Sequence, residues 1–378
     1  MSNPDPANTS VIVGLSGGVD SAVTALLLQQ QGYRVEGLFM RNWEDDDSET
    51  HCTAEADLAD AAQVCDTLDI PLHQVNFAAR YKQQVFDDCL REFAAGRTPN
   101  PDVLCNREIK FNAFLDHALR LGADLVATGH YARIRRGRLG AELHRGVDAG
   151  KDQSYFLHLV PQAALERTLF PLGELEKSEV RSMAEDAGFD NFEKKDSTGI
   201  CFIGERDFAE FLSHYLQADP GPMVTVAGET VGEHRGLSFY TLGQRQGLGI
   251  GGRPGSSGPW YVVDKDIAGN RLIVAEGHQH PALFAPALRT EPVSWINGPP
   301  PETRFDCTAQ IRYRQPAQAC TVTQGTDGCC HVAFTSPQRA VTPGQSVVFY
   351  RDSQCLGGGI INAAVRRNET AEQQVTGA

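Results

Sequence analysis

The sequence predicts an α/β protein with an N-terminal doubly wound parallel sheet, a small mixed or β central domain and a C-terminal antiparallel β-barrel. Runs typical of strands and of helices alternate between residues 11 and 130, which is the pattern of a parallel sheet covered by helices on both faces. The sequence Gln-Ala-Asp-Pro-Gly-Pro at 217–222 indicates a linker. Short β-type runs separated by Gly and Pro follow it, and from about residue 285 they suit a small barrel.

The chain has 378 residues, of which 41% are hydrophobic, and this is enough for two or three domains with real cores. We expect a disordered tail at residues 1–10, the α/β domain at 11–216, the central domain at 217–284, the barrel at 285–363 and a flexible tail at 364–378.

Each element of the α/β domain is assigned from its local pattern. Apolar β-type runs predict strands near Val11–Leu15, Val35–Met40, Pro71–Val75 and Leu125–Thr128. Helices are predicted near Ala22–Gln31, Ala54–Leu68, Ala79–Ala95, Glu108–Leu121, Lys177–Ala187 and Arg206–Tyr215. A hairpin is expected after Tyr131. Beyond the linker, strands are predicted at Trp260–Asp264, Arg271–Val274 and Val347–Tyr350.

Three loops of this domain are expected to meet at one edge of the sheet, because ligands of such sheets bind at the carboxyl ends of the strands. Ser16–Ser21 follows the first strand, Met40 ends the second, and Gly129-His130 follows the strand near residue 125. The sequence therefore predicts a binding site built from these pieces.

Charge and composition limit the partners and the compartment. The net charge of −14 argues mildly against a nucleic-acid partner, although local basic patches weigh more than the total. Such patches occur at Arg133–Arg138, Lys194-Lys195 and Arg312–Arg314, and a solvated face is the plainer interpretation of each alone. No apolar run reaches the ~18 residues of a membrane span, and the polar start does not resemble a signal peptide. We therefore expect a cytoplasmic protein without a membrane partner.

The chain contains ten cysteines, none in a CxxC pair and none at zinc-ligand spacing with histidines. In a reducing compartment most of them should be inert buried thiols. One or two of them remain as candidates for chemistry.

The first candidate site is the loop Ser-Gly-Gly-Val-Asp-Ser at 16–21, between a β-type run and a helical run. Gly17 and Gly18 let the backbone approach an anion closely, and the following helix adds its positive dipole end. We expect Asp20 and Ser21 at the N-cap, where their oxygens would also face a metal ion or a phosphate. The loop lacks the lysine of GxxxxGK[ST], which excludes a P-loop kinase or GTPase. The alternative is an ordinary βα turn that holds two glycines.

The second candidate is Cys105, in the segment Thr-Pro-Asn-Pro-Asp-Val-Leu-Cys-Asn at 98–106. Two prolines stiffen this loop, and the helix predicted after Asn106 places Cys105 at a helix N-terminus, a position that favours the thiolate. Asp102 is able to hold a substrate or to move a proton. A capping Asp or Asn beside a buried Cys is about as common from sequence alone.

Two further segments contain reactive or charged residues. Cys201 lies in Lys-Lys-Asp-Ser-Thr-Gly-Ile-Cys-Phe at 194–202, where the lysines favour thiolate, but its apolar neighbours favour a core cysteine when it is considered alone. Lys151 and Gln153, in Gly-Lys-Asp-Gln-Ser-Tyr-Phe at 150–156, would bind phosphate or ribose, or simply form a turn.

Taken together, these segments resemble a known family. The loop SGGVDS resembles the SGGxDS pyrophosphate loop of the N-type ATP pyrophosphatases (the PP-loop family), which split ATP into AMP and pyrophosphate. The order of SGGVDS, TPNPDVLCN, TGHYAR, KDQSYF and KKDSTGICF is similar to that of the tRNA-uridine 2-sulfurtransferases, also called tRNA-specific 2-thiouridylases. The later segments TLGQRQGLGIGG, PWYVVDKD, IRYRQ, VTPGQSVVFY and CLGGGII resemble the same family, so the likeness covers nearly the whole chain. The basic hairpin after Tyr131 and the tail after about residue 363 are less typical.

The resemblance implies an activity and a division of roles. ATP would adenylate the C2 oxygen of the wobble uridine in tRNAs for Lys, Glu and Gln, and sulfur would then replace it. Cys201 would carry the persulfide, Cys105 would be the partner nucleophile, and Asp102 the acid/base candidate. Sulfur would reach the base directly, or as sulfide freed when Cys105 attacks, which leaves a Cys105–Cys201 disulfide for a reductant to reopen.

The same resemblance implies the binding residues. Mg²⁺ would neutralise the phosphates of ATP, and the expected ATP contacts are Gly14, Leu15, Ser16, Gly17, Gly18, Val19, Asp20, Ser21, Met40 and Gly129. The expected contacts with the flipped base and the tRNA are Asn100, Pro101, Asp102, His130, Lys151, Asp152, Gln153, Arg312, Tyr313 and Gln345. The sulfur donor would be a cysteine desulfurase or a sulfur-relay carrier.

Three other functions remain open from the residues. An ammonia-using amidotransferase-like synthetase shares the glycine loop but needs no paired cysteines. An RNA-binding protein that has lost catalysis would not need the complete loop. A redox-switch protein with a regulatory Cys105–Cys201 disulfide would leave the ATP loop unexplained.

Overall fold

The structure is a computed structural model that describes residues 5–44, 53–194, 208–251 and 258–366. The N-terminal part contains, in chain order, β1 (Ser10–Leu15), α1 (Val19–Gln30), β2 (Arg34–Arg41), α2 (Thr53–Leu68), β3 (Leu72–Asn76), α3 (Ala78–Tyr81), α4 (Asp87–Ala94), α5 (Pro101–Cys105), α6 (Leu115–Arg120), β4 (Leu125–Ala127), β5 (Ala132–Gly137), β6 (Gly140–Arg145), α7 (Gln162–Leu165), β7 (Thr168–Leu169), α8 (Lys177–Asp186) and α9 (Phe208–Ser213). The π-helical segments Lys82–Phe86 and Asn106–Phe114 join α3 to α4 and α5 to α6. Short 3₁₀ helices lie at Pro6–Asn8, Ser154–Leu157 and Pro171–Glu174.

The predicted parallel sheet is confirmed. Among the described residues, its five strands lie in the order β3-β2-β1-β4-β7, and each pair is parallel. The chain order reverses between β1 and β4, so the crevice outside their carboxyl ends is the place where such sheets bind ligands. The edges of the strands lie within one or two residues of those predicted, because buried apolar runs bounded by polar turns define them.

The sheet has a separate core on each face, which makes it doubly wound. Val11 and Val13 of β1 pack with α1 and with Val180 of α8. Ile12 points to the other face and packs with Phe114. The alternation follows from the two-residue period of a strand, and it buries every residue of β1 after Ser10.

Two predicted helices differ from the observed ones. The helix predicted at Glu108–Leu121 begins instead at Pro101, because Asn100 caps it: its Oδ1 accepts a hydrogen bond from the backbone N–H of Val103 at 3.4 Å. A proline at the first helical position after a capping Asn is a strong start signal. The helix predicted at Ala79–Ala95 is interrupted by the π-helical segment between α3 and α4.

The central and C-terminal parts are built from strands. In chain order they are β8 (Gly221–Thr225), β9 (Thr230–His234), β10 (Trp260–Asp266), β11 (Arg271–Glu276), β12 (Phe284–Thr290), β13 (Ser294–Trp295), β14 (Arg304–Gln310), β15 (Gln318–Gln324), β16 (Cys330–Arg339), β17 (Ser346–Arg351) and β18 (Gln354–Val365), with 3₁₀ helices at Leu237–Phe239 and Pro281–Leu283. The central sheet has the order β10-β11-β8-β9 and is mixed, because β8 and β11 run parallel.

The predicted barrel is confirmed as well. Within the described residues, β12-β16-β15-β14-β17-β18 form an antiparallel sheet that closes where β18 pairs with β12. The hairpin β5–β6 was predicted to extend the α/β domain, but it adds to this sheet instead, with Cys355 of β18 opposite Leu143 of β6. Closure leaves few open strand edges, and the hairpin covers one end of β18.

Both segments predicted as tails overlap with described elements of the fold. The Pro6–Asn8 helix and Ser10 of β1 belong to the fold, and Thr9 is buried, so residues 5–10 are ordered structure rather than tail. At the other end β18 runs to Val365, where it pairs with Ala287. The rest of the predicted tails, residues 1–4 and 367–378, lies outside the described residues. Throughout the described ranges, no helix combines the length and the apolar character that crossing a membrane requires.

His158 is a buried histidine behind the barrel, and it makes stability depend on pH. Its Nδ1 lies 2.8 Å from the carbonyl oxygen of Tyr155, and its ring packs against Gly358. Burial, and to a smaller degree the charge of Arg107, lower the pKa of His158 from 6.5 to about 4, although the hydrogen bond with Tyr155 opposes this. Between pH 6.5 and about pH 4, His158 is therefore protonated in the unfolded chain but neutral in the folded chain.

We expect the free energy of unfolding to fall between pH 6.5 and about pH 4 by about 3 kcal/mol on account of His158, at about 1.4 kcal/mol per pH unit. Urea unfolding at several pH values measures this. In His158→Gln the loss of stability on acidification should be smaller by that amount, because glutamine takes up no proton. Parallel pH profiles for the two proteins would contradict the assignment.

Candidate active site

The glycine loop Ser16–Ser21 forms the turn from β1 into α1. Gly17 has φ of +73°, and a β-carbon there would lie 2.5 Å from the carbonyl oxygen of Asp57 in α2. Position 17 therefore requires glycine on both backbone and steric grounds. Gly18 is the N-cap of α1, in an extended conformation and with no side chain to cap the helix. The first backbone N–H groups of α1 thus face the crevice at the carboxyl end of β1, as an anion site needs.

The predicted capping roles of Asp20 and Ser21 are wrong. They are the second and third residues of α1, because the extended Gly18 ends the turn earlier than expected. Ser21 is buried and ties the loop together: its hydroxyl donates to the carbonyl oxygen of Gly18 at 2.9 Å and accepts from the N–H of Ser16 at 3.2 Å.

A lysine from another part of the chain enters this site. The Nζ of Lys177 lies 2.8 Å from both carboxylate oxygens of Asp20, and the hydroxyl of Tyr131 donates to the same carboxylate at 2.8 Å. The Lys177 side chain is only 10% exposed. Lys177 begins α8 and is 157 residues away from Asp20. The sequence alone does not reveal this contact, because nothing in the neighbourhood of Lys177 distinguishes it from any helix-starting lysine.

Two of the loops predicted to meet do so against this turn. A β-carbon on Gly129 would lie 2.9 Å from the backbone carbon of Asp20 and 3.0 Å from the nitrogen of Ser21. Met40 at the end of β2 is buried, and its methyl group would lie 3.5 Å from a β-carbon on Gly14. The structure therefore brings Gly14, the glycine loop, Met40 and Gly129 to one edge of the sheet.

The outer side of the loop is held by a second basic group. Lys194 Nζ lies 2.8 Å from Asp57, 2.6 Å from Asp60 and 3.3 Å from the carbonyl oxygen of Gly17. Burial lowers the pKa of Lys194, but the two carboxylates outweigh it and the net shift is upward. The Asn191 amide donates to the same Gly17 carbonyl at 3.0 Å, another contact for which the sequence holds no local signal.

Cys105 does not lie at a helix N-terminus as predicted. It is the last residue of α5, beyond the first turn formed from Pro101, because the helix starts earlier than the apolar pattern indicated. It is fully buried and packs with Tyr81, Phe86 and Phe211. The helix-dipole argument for a thiolate therefore does not apply at this position.

Asn100, Pro101 and Asp102 form the start of α5, and Asn100 is its capping residue. Asp102 is half-buried in the first turn. Cys201, with the rest of residues 195–207, lies outside the described residues. The chain leaves the described part at Lys194, beside the glycine loop.

Most of the expected tRNA contacts have partners inside the protein. His130 is buried with its Nδ1 2.8 Å from the Thr128 hydroxyl, and burial, then the charge of Lys110, hold the pKa of His130 well below its ordinary value. Asp152 is buried and binds Arg145 at 2.9 Å. The Gln153 side chain accepts from the Tyr131 N–H at 2.9 Å, while Lys151 is half-exposed.

The three expected contacts in the barrel are also engaged. One guanidinium nitrogen of Arg312 donates to the carbonyl oxygens of Leu242 at 2.8 Å and of Ala340 at 3.1 Å. The ring of Tyr313 packs on that of Phe156, with 4.4 Å between the ring centroids. Gln345 donates to backbone carbonyls of the loop before α5.

The carboxylates of this site do not form a cage for a metal ion. Across the ranges that the structure describes, no cluster of three or more His, Cys, Asp or Glu side chains suits a metal. Asp20 is paired with Lys177, and Asp57 and Asp60 on the outer side of the loop are paired with Lys194. A magnesium ion here would therefore be held mostly by phosphate oxygens and water, which is a common arrangement for Mg²⁺ with nucleotides.

Family models match nearly the whole chain. They are described as a tRNA methyl transferase HUP domain over residues 9–205, a tRNA methyl transferase PRC-barrel domain over residues 209–276 and an aminomethyltransferase beta-barrel domain over residues 286–361.

Curated relatives are similar along the same length. The tRNA-specific 2-thiouridylase MnmA of Alkalilimnicola ehrlichii is 60% identical over 353 residues, which cover 93% of this chain and 96% of that protein. The tRNA-specific 2-thiouridylase MnmA of Pseudomonas entomophila is 58% identical over 361 residues, covering 95% and 96%. A solved 4-thiouridine synthetase–RNA complex with bound ATP has 16% identity and a TM-score of 0.34 over 52% of this chain and 46% of that one, too little to bear on function.

Proposed function

The chain belongs to the tRNA-specific 2-thiouridylase family, and on that basis we propose that it replaces the C2 oxygen of a tRNA wobble uridine by sulfur in an ATP-dependent reaction. The observation that carries the proposal is the identity of 60% over 93% of the chain with a protein of that name. The substrates would be the tRNAs for Lys, Glu and Gln, and the reaction would take place in the cytoplasm.

The first step is activation of the oxygen, because a carbonyl oxygen is a poor leaving group. The uridine O2 attacks the α-phosphorus of ATP, and pyrophosphate leaves. The phosphates would be bound by Gly14–Ser21, with Met40 and Gly129 beside the adenosine. The N–H groups at the start of α1 support this role, since they are fixed by the Gly17 turn before any substrate binds. Mg²⁺ bound to the phosphates would supply charge neutralisation in this step.

Lys177 compensates for the lysine that the glycine loop lacks. Its ammonium group stands at the first turn of α1, on the carboxylate of Asp20. We include Lys177 in the ATP site as a cation next to the phosphates. Asp20 holds its Nζ in place, and the Tyr131 hydroxyl fixes that carboxylate, which lowers the reorganisation needed when the phosphates arrive.

The second step is sulfur transfer. The outer sulfur of a Cys201 persulfide attacks C2, and AMP leaves with the original oxygen. The Cys105 thiolate then attacks Cys201 Sγ, which breaks the S–S bond, releases the 2-thiouridine and leaves a Cys105–Cys201 disulfide for a thiol reductant. In the alternative route the Cys105 thiolate attacks Cys201 Sγ, hydrosulfide leaves and attacks C2, and the resulting disulfide needs a thiol reductant. Asp102 is the acid/base candidate, three residues before Cys105 on the same helix. Phe211 and Tyr81 pack over Cys105, so its thiolate reaches Cys201 only when these side chains move away.

The remaining expected residues would bind the RNA. Asn100, Pro101 and Asp102 would contact the flipped base, while His130, Lys151, Asp152, Gln153, Arg312, Tyr313 and Gln345 would contact the rest of the tRNA. Since many of these side chains already have partners in the protein, we expect them to act through backbone groups or through the loops they hold. Binding should therefore depend on RNA shape and backbone and weaken with salt. A cysteine desulfurase or a sulfur-relay carrier would load Cys201.

The proposal is tested by incubating the protein with ATP, Mg²⁺, sulfide and an unmodified tRNA-Glu transcript, and then identifying the nucleosides by mass spectrometry. We expect 2-thiouridine at the wobble position only when ATP is present. A methylated uridine formed from a methyl donor, as the family-model descriptions would suggest, or the absence of any new nucleoside would contradict the proposal.

A further inference from the structure

The loop that leads into α5, residues Arg97–Asn100 (the substrate loop), is bound to the barrel through its backbone. The N–H of Thr98 donates to the carbonyl oxygen of Pro343 at 3.0 Å. The Gln345 amide nitrogen donates to the carbonyl oxygens of Thr98 at 2.9 Å and Pro99 at 3.1 Å. Both hydrogens of that amide are therefore used by the substrate loop.

The contact is close enough to require glycine between these two residues. Gly344 has φ of +92°, and a β-carbon there would lie 2.8 to 2.9 Å from three backbone atoms of Thr98. The turn itself is fixed to β18, because Gly344 N–H donates to the Ile361 carbonyl at 2.9 Å and Ile361 N–H donates to the Gln345 carbonyl at 2.7 Å. The barrel thus presents a rigid turn to the substrate loop.

Side chains add three more attachments. Arg97 forms an ion pair with Glu291, the residue that follows β12, and its other terminal nitrogen lies 3.5 Å from the Asn362 side-chain oxygen. The Thr98 hydroxyl lies 3.3 Å from that of Thr241, which belongs to the central part of the chain. The substrate loop is therefore held by both of the other domains.

A displacement of Thr98 would be passed directly to α5. Pro99 and Pro101 restrict the backbone between Thr98 and the helix, and Asn100 caps α5 from its N–H end. Asp102 and Cys105 lie on that helix, so little flexible chain separates them from the barrel contact.

We propose that the turn Pro343–Gln345 is a positioning element, which sets the location of Asp102 and Cys105 through the substrate loop. Thr98 and Gly344 are then positioning residues of the thiolation reaction. The inference rests on the proposed function for the reaction that is positioned. It explains how the barrel, which is distant in sequence from the ATP site, takes part in catalysis: an RNA that docks on the barrel is aligned with the same turn that aligns α5.

The test compares Gly344→Ala with Gly298→Ala in the full chain. Gly298 also lies in the barrel and has φ of +82°, but among the described residues no atom lies within 4 Å of its β-carbon position. The two variants share the backbone strain and differ in the contact with Thr98. We expect Gly344→Ala to lower kcat for thiolation by about 10- to 100-fold, as displacements of about 1 Å do, with KM for tRNA changed less than about 2-fold.

A second readout is independent of activity. Amide hydrogen exchange over residues 98–104, measured without RNA, should be at least about 10-fold faster in Gly344→Ala and unchanged in Gly298→Ala. If Gly344→Ala does not fold, Gln345→Ala keeps the turn backbone and should change both readouts in the same direction. Unchanged kcat with raised KM, or equal exchange in both variants, would overturn the inference. A wild-type protein that fails to thiolate would instead overturn the proposed function, and the exchange comparison would still decide whether the turn fixes the loop.

Discussion

With a cysteine desulfurase and cysteine as the sulfur donor, replacing Cys105 by alanine is expected to lower 2-thiouridine formation by at least about 100-fold, as loss of a nucleophile generally does. Activation of the uridine precedes the sulfur step, so pyrophosphate should still form in a single burst of about one equivalent per active site. Serine or alanine at Cys201 should behave in the same way. A quenched-flow measurement of pyrophosphate, together with nucleoside mass spectrometry, separates the two steps.

Cys89→Ala is the matched control for this experiment. Cys89 is a buried cysteine of α4, 4% exposed, and burial, reinforced by the charge of Asp88, raises its pKa to about 12. A thiol with such a pKa is almost entirely protonated near neutral pH and is a poor nucleophile. Cys89→Ala leaves a cavity similar in size to that of Cys105→Ala, but it removes no nucleophile of the reaction. Equal thiolation by the two variants would remove Cys105 from the mechanism.

Replacing Gly17 by alanine is expected to lower the rate of pyrophosphate formation by at least about 100-fold, because the N–H groups that would bind the phosphates move with the loop. The new β-carbon would lie 2.5 Å from the Asp57 carbonyl oxygen, so either α2 or the loop must shift. Isothermal titration with a non-hydrolysable ATP analogue should show the same loss in binding.

Gly188→Ala separates this steric effect from backbone strain. Gly188 has the same φ of +73°, and within the described part of the chain its β-carbon position has no atom within 4 Å. Alanine at this φ costs about 1 kcal/mol at either position. We therefore expect Gly188→Ala to lose a little thermal stability and to keep nucleotide binding. Similar losses of binding in both variants would show that the loop geometry is not what binds ATP.

The sequence predicted the elements that depend on local pattern. The apolar run from Val11 and the glycine turn at Gly17 were found where expected, because strand period and turn glycine are local signals. The helix after the turn was found too, but it begins at Val19, three residues before the predicted Ala22. The start of α5 was missed although its signal was local too: Asn100-Pro101 is a cap followed by a first-turn proline. As a result the sequence predicts Cys105 at the start of the helix, whereas the helix starts four residues earlier, at Pro101.

Contacts between distant parts of the chain were not predictable in this way. Lys177 reaches Asp20 across 157 residues, and the pairing of Leu143 with Cys355 moves the hairpin β5–β6 from the α/β domain to the barrel sheet. The sequence around Lys177 holds no signal for Asp20, and the sequence around Leu143 holds none for Cys355. The same holds for Gln345, whose bonds to Thr98 and Pro99 join loops 247 and 246 residues apart.

The coupling of ATP cleavage to thiolation is measured by the ratio of AMP released to 2-thiouridine formed, determined in one reaction with tRNA-Glu transcript, ATP, Mg²⁺ and a sulfide source. Activation of the C2 oxygen by adenylation predicts equal amounts of the two products, with no AMP beyond background when tRNA is left out. Thiouridine without AMP, or AMP released without thiouridine by the wild-type protein, would contradict the claim that the glycine loop at α1 activates the base for sulfur transfer.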